Sequence, residues 1–250
     1  MNDIVFGVGM AKTGTHALAA LFRDSRRCAH EPQAEALMRL MLDHHAGRIR
    51  QAEFVQFVRQ LVDRMDLELN VSQLNGCLVA TLAELYPAAK FILTLRDFDS
   101  WVRSFINHQL SRTLPSGSAW PAFRDLRFRP AEYPPRCEDA PLTARGLYSL
   151  EAYVSYWVRH NQGVIASVPA DRLLIVPTDR LLEDADIIGA FIGGASVTEL
   201  SGELDFPGTY VESPFDELDR SYVDAQMHFL PLPSTGRGRR VADIRLTTSP

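Results

Sequence analysis

Residues 4–18 of this chain read IVFGVGMAKTGTHAL: a short apolar run, a turn of small residues and the beginning of a helical pattern. Ile4-Val5-Phe6-Gly7-Val8 has the unbroken apolar character of a buried strand. The following THALAALFR (15–23) places Leu18, Leu21 and Phe22 on one helical face. Where a strand stops and a helix starts, backbone N–H groups converge on an oxyanion near the positive helix end. Lys12 adds a full charge there, and Thr13 and Thr15 add hydroxyl donors. The triphosphate loop G-x-x-x-x-G-K-[ST] needs its lysine directly after the last glycine, whereas here Lys12 precedes Gly14. A dinucleotide loop G-x-G-x-x-G does not fit either, because Gly7 and Gly9 are followed by Met10, Ala11 and Lys12. The stretch therefore predicts an anion site of another kind.

Working outward, a second continuously apolar run, KFILTL (90–95), reads as a parallel strand covered on both faces. RLLIV (172–176) is a third strand. Helical patterns fill the intervals: from Pro32 to near Gly47, Gln51 to Met65, Leu74 to Tyr86, about Ser100 to Leu110 with Asp97 or Asp99 as its cap, Arg145 to Ser167, and Ile187 to Ile192. Strands alternating with helices imply an α/β fold with a mainly parallel sheet, and a ligand beyond the carboxyl ends of its strands. Residues 113–142 hold six prolines among aromatics and arginines, which predicts an irregular acceptor-side segment or lid. Residues 234–250 read as a flexible tail. There is no internal repeat, and one domain over residues 1–250 is expected.

Composition narrows the function. The chain has 250 residues, 46% of them hydrophobic, and a net charge of -5, so nothing supplies the basic surface a general nucleic-acid binder needs. Cys28, Cys77 and Cys137 are odd in number and form no CxxC pair, which argues against a zinc site and suits a reducing compartment. Adjacent His44 and His45 point about 100° apart on a helix and read as solvated rather than as metal ligands. No run of about 18 apolar residues suggests membrane insertion, and the opening MNDIVFGVG is too short and glycine-rich for a signal peptide, so a cytoplasmic chain is expected.

A second polar pair decides the chemistry. KFILTL ends at Arg96, and Ser104 follows eight residues later, about two turns into the next helix. An arginine fork and a serine hydroxyl so placed can face one phosphate. Together, AKTGTHAL and LRDFDSWVRS resemble the PAPS-dependent sulfotransferases. In that family a K-[ST]-G-T loop after the first strand holds the 5′-phosphosulfate of 3′-phosphoadenosine 5′-phosphosulfate (PAPS). An arginine closing a later strand, with a serine eight residues on, holds the 3′-phosphate.

The resemblance implies a three-layer, P-loop-NTPase-like α/β fold with a central, mainly parallel sheet flanked by helices. It assigns Lys12, Thr13, Gly14, Thr15 and His16 to the 5′ side and Arg96 and Ser104 to the 3′ side, with no metal. Phe98 stands where the family often has proline, and His16 where it often has threonine or serine. The implied reaction is in-line sulfuryl transfer to a hydroxyl, less favourably an amine, of a small-molecule or glycan acceptor, with Lys12 stabilising the leaving group.

The acceptor needs a general base. Glu31 and His30, in CAHEPQAE, are the first candidates, and His108 is a third. Glu31 reads equally as a helix cap and His30 as packing against the loop. Asn70, Ser72 and Asn75 either line the acceptor pocket or serve as turns and caps, and Arg124, Arg127, Arg129 and Arg136 either favour an anionic acceptor or form a solvated face. Gly236-Arg237-Gly238-Arg239-Arg240 could close over the 3′-phosphate. A P-loop kinase-like phosphotransferase and a non-catalytic nucleotide-binding protein stand as alternatives, and a homo-oligomer is compatible with either.

Overall fold

The computed structural model describes residues 4–197 and 213–227, together with the backbone of 239–240. Along the chain run β1 (Val5–Gly7), α1 (Thr15–Leu21), β2 (Cys28–His30), α2 (Ala34–His45), α3 (Gln51–Met65), β3 (Leu69–Val71), α4 (Gln73–Cys77), α5 (Val79–Leu85) and β4 (Lys90–Leu95). After them come α6 (Phe98–Ser111), α7 (Trp120–Phe128), α8 (Ala140–Thr143), α9 (Leu150–Ser167), β5 (Leu173–Pro177), α10 (Ala185–Phe191), α11 (Arg220–Met227) and β6 (Arg239–Arg240).

The sheet order is β2-β3-β1-β4-β5-β6. The first five strands are parallel, and β6 runs antiparallel to β5, with Ile175 opposite Arg239. Alternation along the strands splits the core in two. Phe91, Leu93 and Leu95 of β4, with Phe6 and Ile175, face the large cluster beneath α2, α3, α5, α6, α7 and α9. Ile92, Leu174 and Val176 face the smaller cluster made with α1 and α10. Helices on both faces of a parallel sheet give the three layers expected. The chain winds one way from β1 and the other way from β4, so the crevice between their carboxyl ends is the switch point where ligands lodge in such sheets.

The differences from the sequence pattern have local causes. β2 and β3 are three residues each, too short to read from CAH and LNV alone. The helix expected from Leu74 to Tyr86 breaks at Leu78 into α4 and α5. Gly76 sits against the His160 ring, 2.2 Å from where its Cβ would be, so α4 is docked by close approach rather than continued. α2 begins at Ala34 because Glu31 and Gln33 both take positive φ, reversing the chain first. α9 begins at Leu150, capped by Ser149, after Gly146 turns the chain at φ 69°. The segment 113–142 is not irregular throughout: it contains α7, with Pro121 in its first turn, where a missing N–H costs nothing. His44, expected to be solvated, stacks on Phe54 with ring centroids 4.3 Å apart. Of the expected tail, Arg239–Arg240 forms β6; Gly236, Arg237 and Gly238 lie outside the described residues, as do 241–250. Among the described residues, no helix is long and apolar enough to cross a membrane.

The longest helix, α9, meets the sheet through a buried histidine. His160 of α9 reaches the end of β1, where its Nε2–H donates to the Val8 carbonyl at 2.8 Å. Burial pushes its pKa down to about 4 from the ordinary 6.5. Between those values the unfolded chain takes up a proton that the folded chain refuses, so stability falls as pH drops through this window. The loss amounts to roughly 3 kcal/mol when complete. Urea denaturation at pH 7 and pH 4.5 should show this slope, and His160→Gln should flatten it while lowering stability at pH 7.

Candidate functional site

The loop from Val8 to Gly14 is held by its carbonyls. Val8 O accepts from His160, and Met10 O accepts from the Thr13 hydroxyl at 2.7 Å. Ala11 O accepts from the Trp101 indole N–H at 3.0 Å, and Lys12 O from Arg96 Nη1 at 3.2 Å. Thr13 O accepts from the Thr178 hydroxyl at 2.9 Å. With four consecutive carbonyls held by donors, the loop has one fixed form. Two glycines permit the fit. A Cβ on Gly9 would lie 1.9 Å from Thr94 Oγ1. Gly14 takes φ 84°, and its Cβ would lie 2.4 Å from Leu181 Cδ1. Gly14 is also the N-cap of α1, and no side chain caps the helix, so its first-turn amides keep their donors for another acceptor.

Lys12 itself takes φ 68°, a conformation that costs a non-glycine residue of order 1–2 kcal/mol. Its amine is half-buried and makes no ion pair among the described residues. Desolvation lowers its pKa, and the nearby charges of Arg96 and Arg112 lower it further. The Thr13 hydroxyl, expected to face an anion, points inward instead, bonded to Met10 O and 2.8 Å from Thr94 Oγ1. It locks the turn because a buried hydroxyl must find partners inside. Thr15 Oγ1 lies 3.1 Å from His30 Nε2, and the His16 ring meets His30 edge-on at 5.1 Å. Partial desolvation lowers the pKa of His30, opposed by Glu31 and reinforced by His16.

Arg96 closes β4 and joins the two motifs. Its Nη1 holds Lys12 O, its Nε donates to Ser100 Oγ at 3.1 Å, and its own carbonyl accepts from Trp157 Nε1 at 3.1 Å. Ser100 in turn bonds Asp97, which caps α6 by accepting from the Ser100 amide. The Ser104 hydroxyl, two turns into α6, makes no hydrogen bond among the described residues. His108 is one turn further along α6. Burial, with the charges of Arg112, Lys12 and Arg124, pushes its pKa down to about 4. Arg112, Thr178 and Leu181 were not foreseeable as neighbours of the loop, because each depends on a packing between distant segments.

Glu31 follows β2 directly, with φ 53°. Its amide donates to Val71 O at 2.8 Å, and its carboxylate accepts from Ser72 Oγ at 2.7 Å and from the Gln73 amide at 3.0 Å. A strained residue with a doubly anchored carboxylate at the sheet's carboxyl edge is typical of functional sites. Asn70 and Asn75 do not line a pocket. Asn75 Nδ2 bonds Gly7 O, Asn70 O and Asn70 Oδ1, bracing β1 against β3 from inside the core. Arg129 and Arg136 pair with Glu132 and Glu151 at the surface. Arg127 is buried, bonded to Gln73 Oε1 and Tyr156 OH. Among the described residues no cluster of three His, Cys, Asp or Glu side chains could hold a metal ion.

A family model described as a sulfotransferase domain matches residues 4–180. No curated protein matches the chain. Among solved structures, a sulfotransferase from Alicyclobacillus acidocaldarius is 15% identical, with 91% of this chain and 94% of that one covered at a TM-score of 0.50. The sulfotransferase domain of the Synechococcus PCC 7002 olefin synthase is 13% identical over 93% of this chain and 89% of its own, with a TM-score of 0.39. Mouse sulfotransferase SULT7A1, complexed with PAP, is 17% identical over 92% of this chain and 68% of its own, with a TM-score of 0.36. The first shares the fold; the other two superpose too loosely for a comparison of parts.

Gly14→Ala should lose about 2 kcal/mol or more in chemical denaturation, from the left-handed backbone and the collision with Leu181 together. Adding Leu181→Ala should remove the collision and leave the backbone strain, so the double variant should remain less stable than Leu181→Ala alone.

Proposed function

The chain belongs to the sulfotransferase domain family, and on that premise we propose that it moves a sulfuryl group from PAPS to a hydroxyl of a small-molecule or glycan acceptor. The observation that carries the donor assignment is the hydrogen bond from Arg96 to Lys12 O, which joins two sets of anion-binding groups at one switch point. PAPS is an elongated ligand with an anionic group at each end, and the donor set suits it. Lys12, Gly14, Thr15, His16 and the first-turn amides of α1 would hold the 5′ end. Arg96 and the unpartnered Ser104 hydroxyl would hold the 3′-phosphate. Thr13 serves by shaping the loop rather than by its hydroxyl.

Bound there, the donor supplies an electrophilic sulfuryl group and a phosphate leaving group. Lys12 and the fixed amides neutralise the charge that develops as the leaving oxygen departs. The lowered pKa of Lys12 also makes it a readier proton donor to that oxygen. Glu31 accepts the acceptor's proton, its carboxylate kept in place by Ser72 and the Gln73 amide. His30 holds the loop through Thr15. Segment 113–142, with α7 at its centre, would cover the acceptor side. The odd, unpaired cysteines agree with a cytoplasmic setting.

Calorimetry should find binding of 3′-phosphoadenosine 5′-phosphate (PAP), the product nucleotide, and weaker or no binding of ATP with magnesium; the reverse order would sink the proposal. Arg96→Ala should weaken PAP binding about 10- to 100-fold, the worth of a charged hydrogen bond, while Arg220→Ala on the surface should leave it unchanged.

With PAPS and a panel of phenols, alcohols and sugars, Glu31→Gln should lower turnover roughly 10²- to 10⁴-fold with PAP affinity within about twofold of wild type. Transfer unaffected by both Glu31→Gln and His30→Gln would instead favour a nucleotide-binding protein without catalysis.

A further inference from the structure

Many surface arginines have acidic partners, as in Arg39–Glu35, Arg48–Asp43 and Arg129–Glu132, although Arg59 and Arg64 have none among the described residues. Arg112 and Arg124, like Lys12, make no ion pair among the described residues, although the chain carries more acidic than basic groups. Arg124 is the most constrained of them. It lies on α7 one turn before Phe128, whose ring packs on Phe105 of α6 at 5.7 Å and on Tyr153 of α9 at 4.9 Å. Its Nε, like that of Arg127, is shielded from solvent and has no hydrogen-bond partner among the described residues. Desolvation and the like charge of Arg127 both oppose its own charge.

The neighbouring Arg127 shares the unmatched Nε but has other partners. It bonds Gln73 and Tyr156 and lies over the rings of Trp120, Phe123, Phe128 and Tyr156. Among the described residues, Arg124 has neither a hydrogen-bond acceptor nor a facing ring. A half-buried guanidinium with an unmet donor and a like-charged neighbour is unfavourable on its own, and an incoming oxyanion would meet its fork. Its place relative to the transfer site follows from α6. Ser104 and His108 of α6 and Arg112 at its C-cap recur every four residues along one face, and His108 lies within electrostatic reach of Lys12, Arg112 and Arg124 together. Lys12 and Arg124 thus both lie near His108.

We propose that the acceptor carries an oxyanion, a carboxylate or a phosphate or sulfate ester, and that Arg124, assisted by Arg112, binds it near His108. This rests on the sulfotransfer reading for the acceptor's hydroxyl, but the oxyanion subsite can be measured separately.

The protein saturated with PAP, which would occupy Lys12 and Arg96, is titrated with phenyl phosphate, benzoate and benzyl alcohol. At least one oxyanion should bind more than tenfold tighter than the alcohol, and the tighter of the two names the group. Arg124→Met should weaken that binding at least tenfold and Arg112→Met about threefold, with PAP affinity within twofold of wild type and Tm not lowered. Arg124→Lys, which keeps the charge but loses the fork, should weaken it at least threefold and decides the matter if the methionine variant is unstable. Equal binding of the alcohol, or oxyanion affinity within twofold of wild type in the Arg124 variants, overturns the proposal. If PAP does not bind, the donor assignment fails, and the same titration of the free protein still decides: loss in Arg124→Met sustains the subsite, and loss in Arg96→Ala alone overturns it.

Discussion

Four successive carbonyls, from Met10 to Thr13, are each held by a donor from a different part of the protein, and the carboxyl edge of the sheet is organised around that restraint. The donors come from the loop itself, from α6, from the end of β4 and from the turn after β5. Each bond contributes only about 1 kcal/mol net. Their joint effect is geometric: the amide edge and the first turn of α1 are fixed before any ligand arrives. Preorganised dipoles stabilise developing charge without having to reorient during the reaction. The tight space at Gly9 and Gly14 follows from the same restraint, since strands, helices and loop meet there without room for a β-carbon.

The distribution of charge is the second constraint. The chain is acidic overall, so it does not attract polyanions at large, yet Lys12, Arg96, Arg112 and Arg124 gather at one edge with few acidic neighbours. Asp97 beside Arg96 is engaged in capping α6, and Glu31 lies on the other flank, its charge absorbed by Ser72 and a helix amide. The edge thus offers a cationic side suited to phosphates and sulfates and, at Glu31, a carboxylate suited to a proton.

Much of this was legible in the sequence where the signal was long or periodic. α3 and β4 have the limits their patterns predict, because an amphipathic run of fifteen residues and an apolar run of six leave little ambiguity. The loop and the Arg96–Ser104 spacing were likewise plain. What stayed hidden depended on partners far along the chain. Three-residue β2 and β3 have no period to detect. α7 was masked by surrounding prolines, although Pro121 is a good first-turn residue. The inward turn of Thr13 requires Thr94, eighty-one residues away. The bracing role of Asn75 requires Gly7, and neither contact has a local signature.

Arg96 links the two halves of the edge physically, since its guanidinium grips the loop while its backbone is tied to α9 through Trp157. On the proposed reading, the site behaves as a chelator. A single molecule bearing both anions pays the entropy of immobilisation once, and engaging one end raises the effective concentration of the other. Two separate anions filling the same positions would pay it twice. Discrimination for the complete nucleotide over its fragments would then exceed the product of the two half-sites, with the rigidity of one arginine setting the gain.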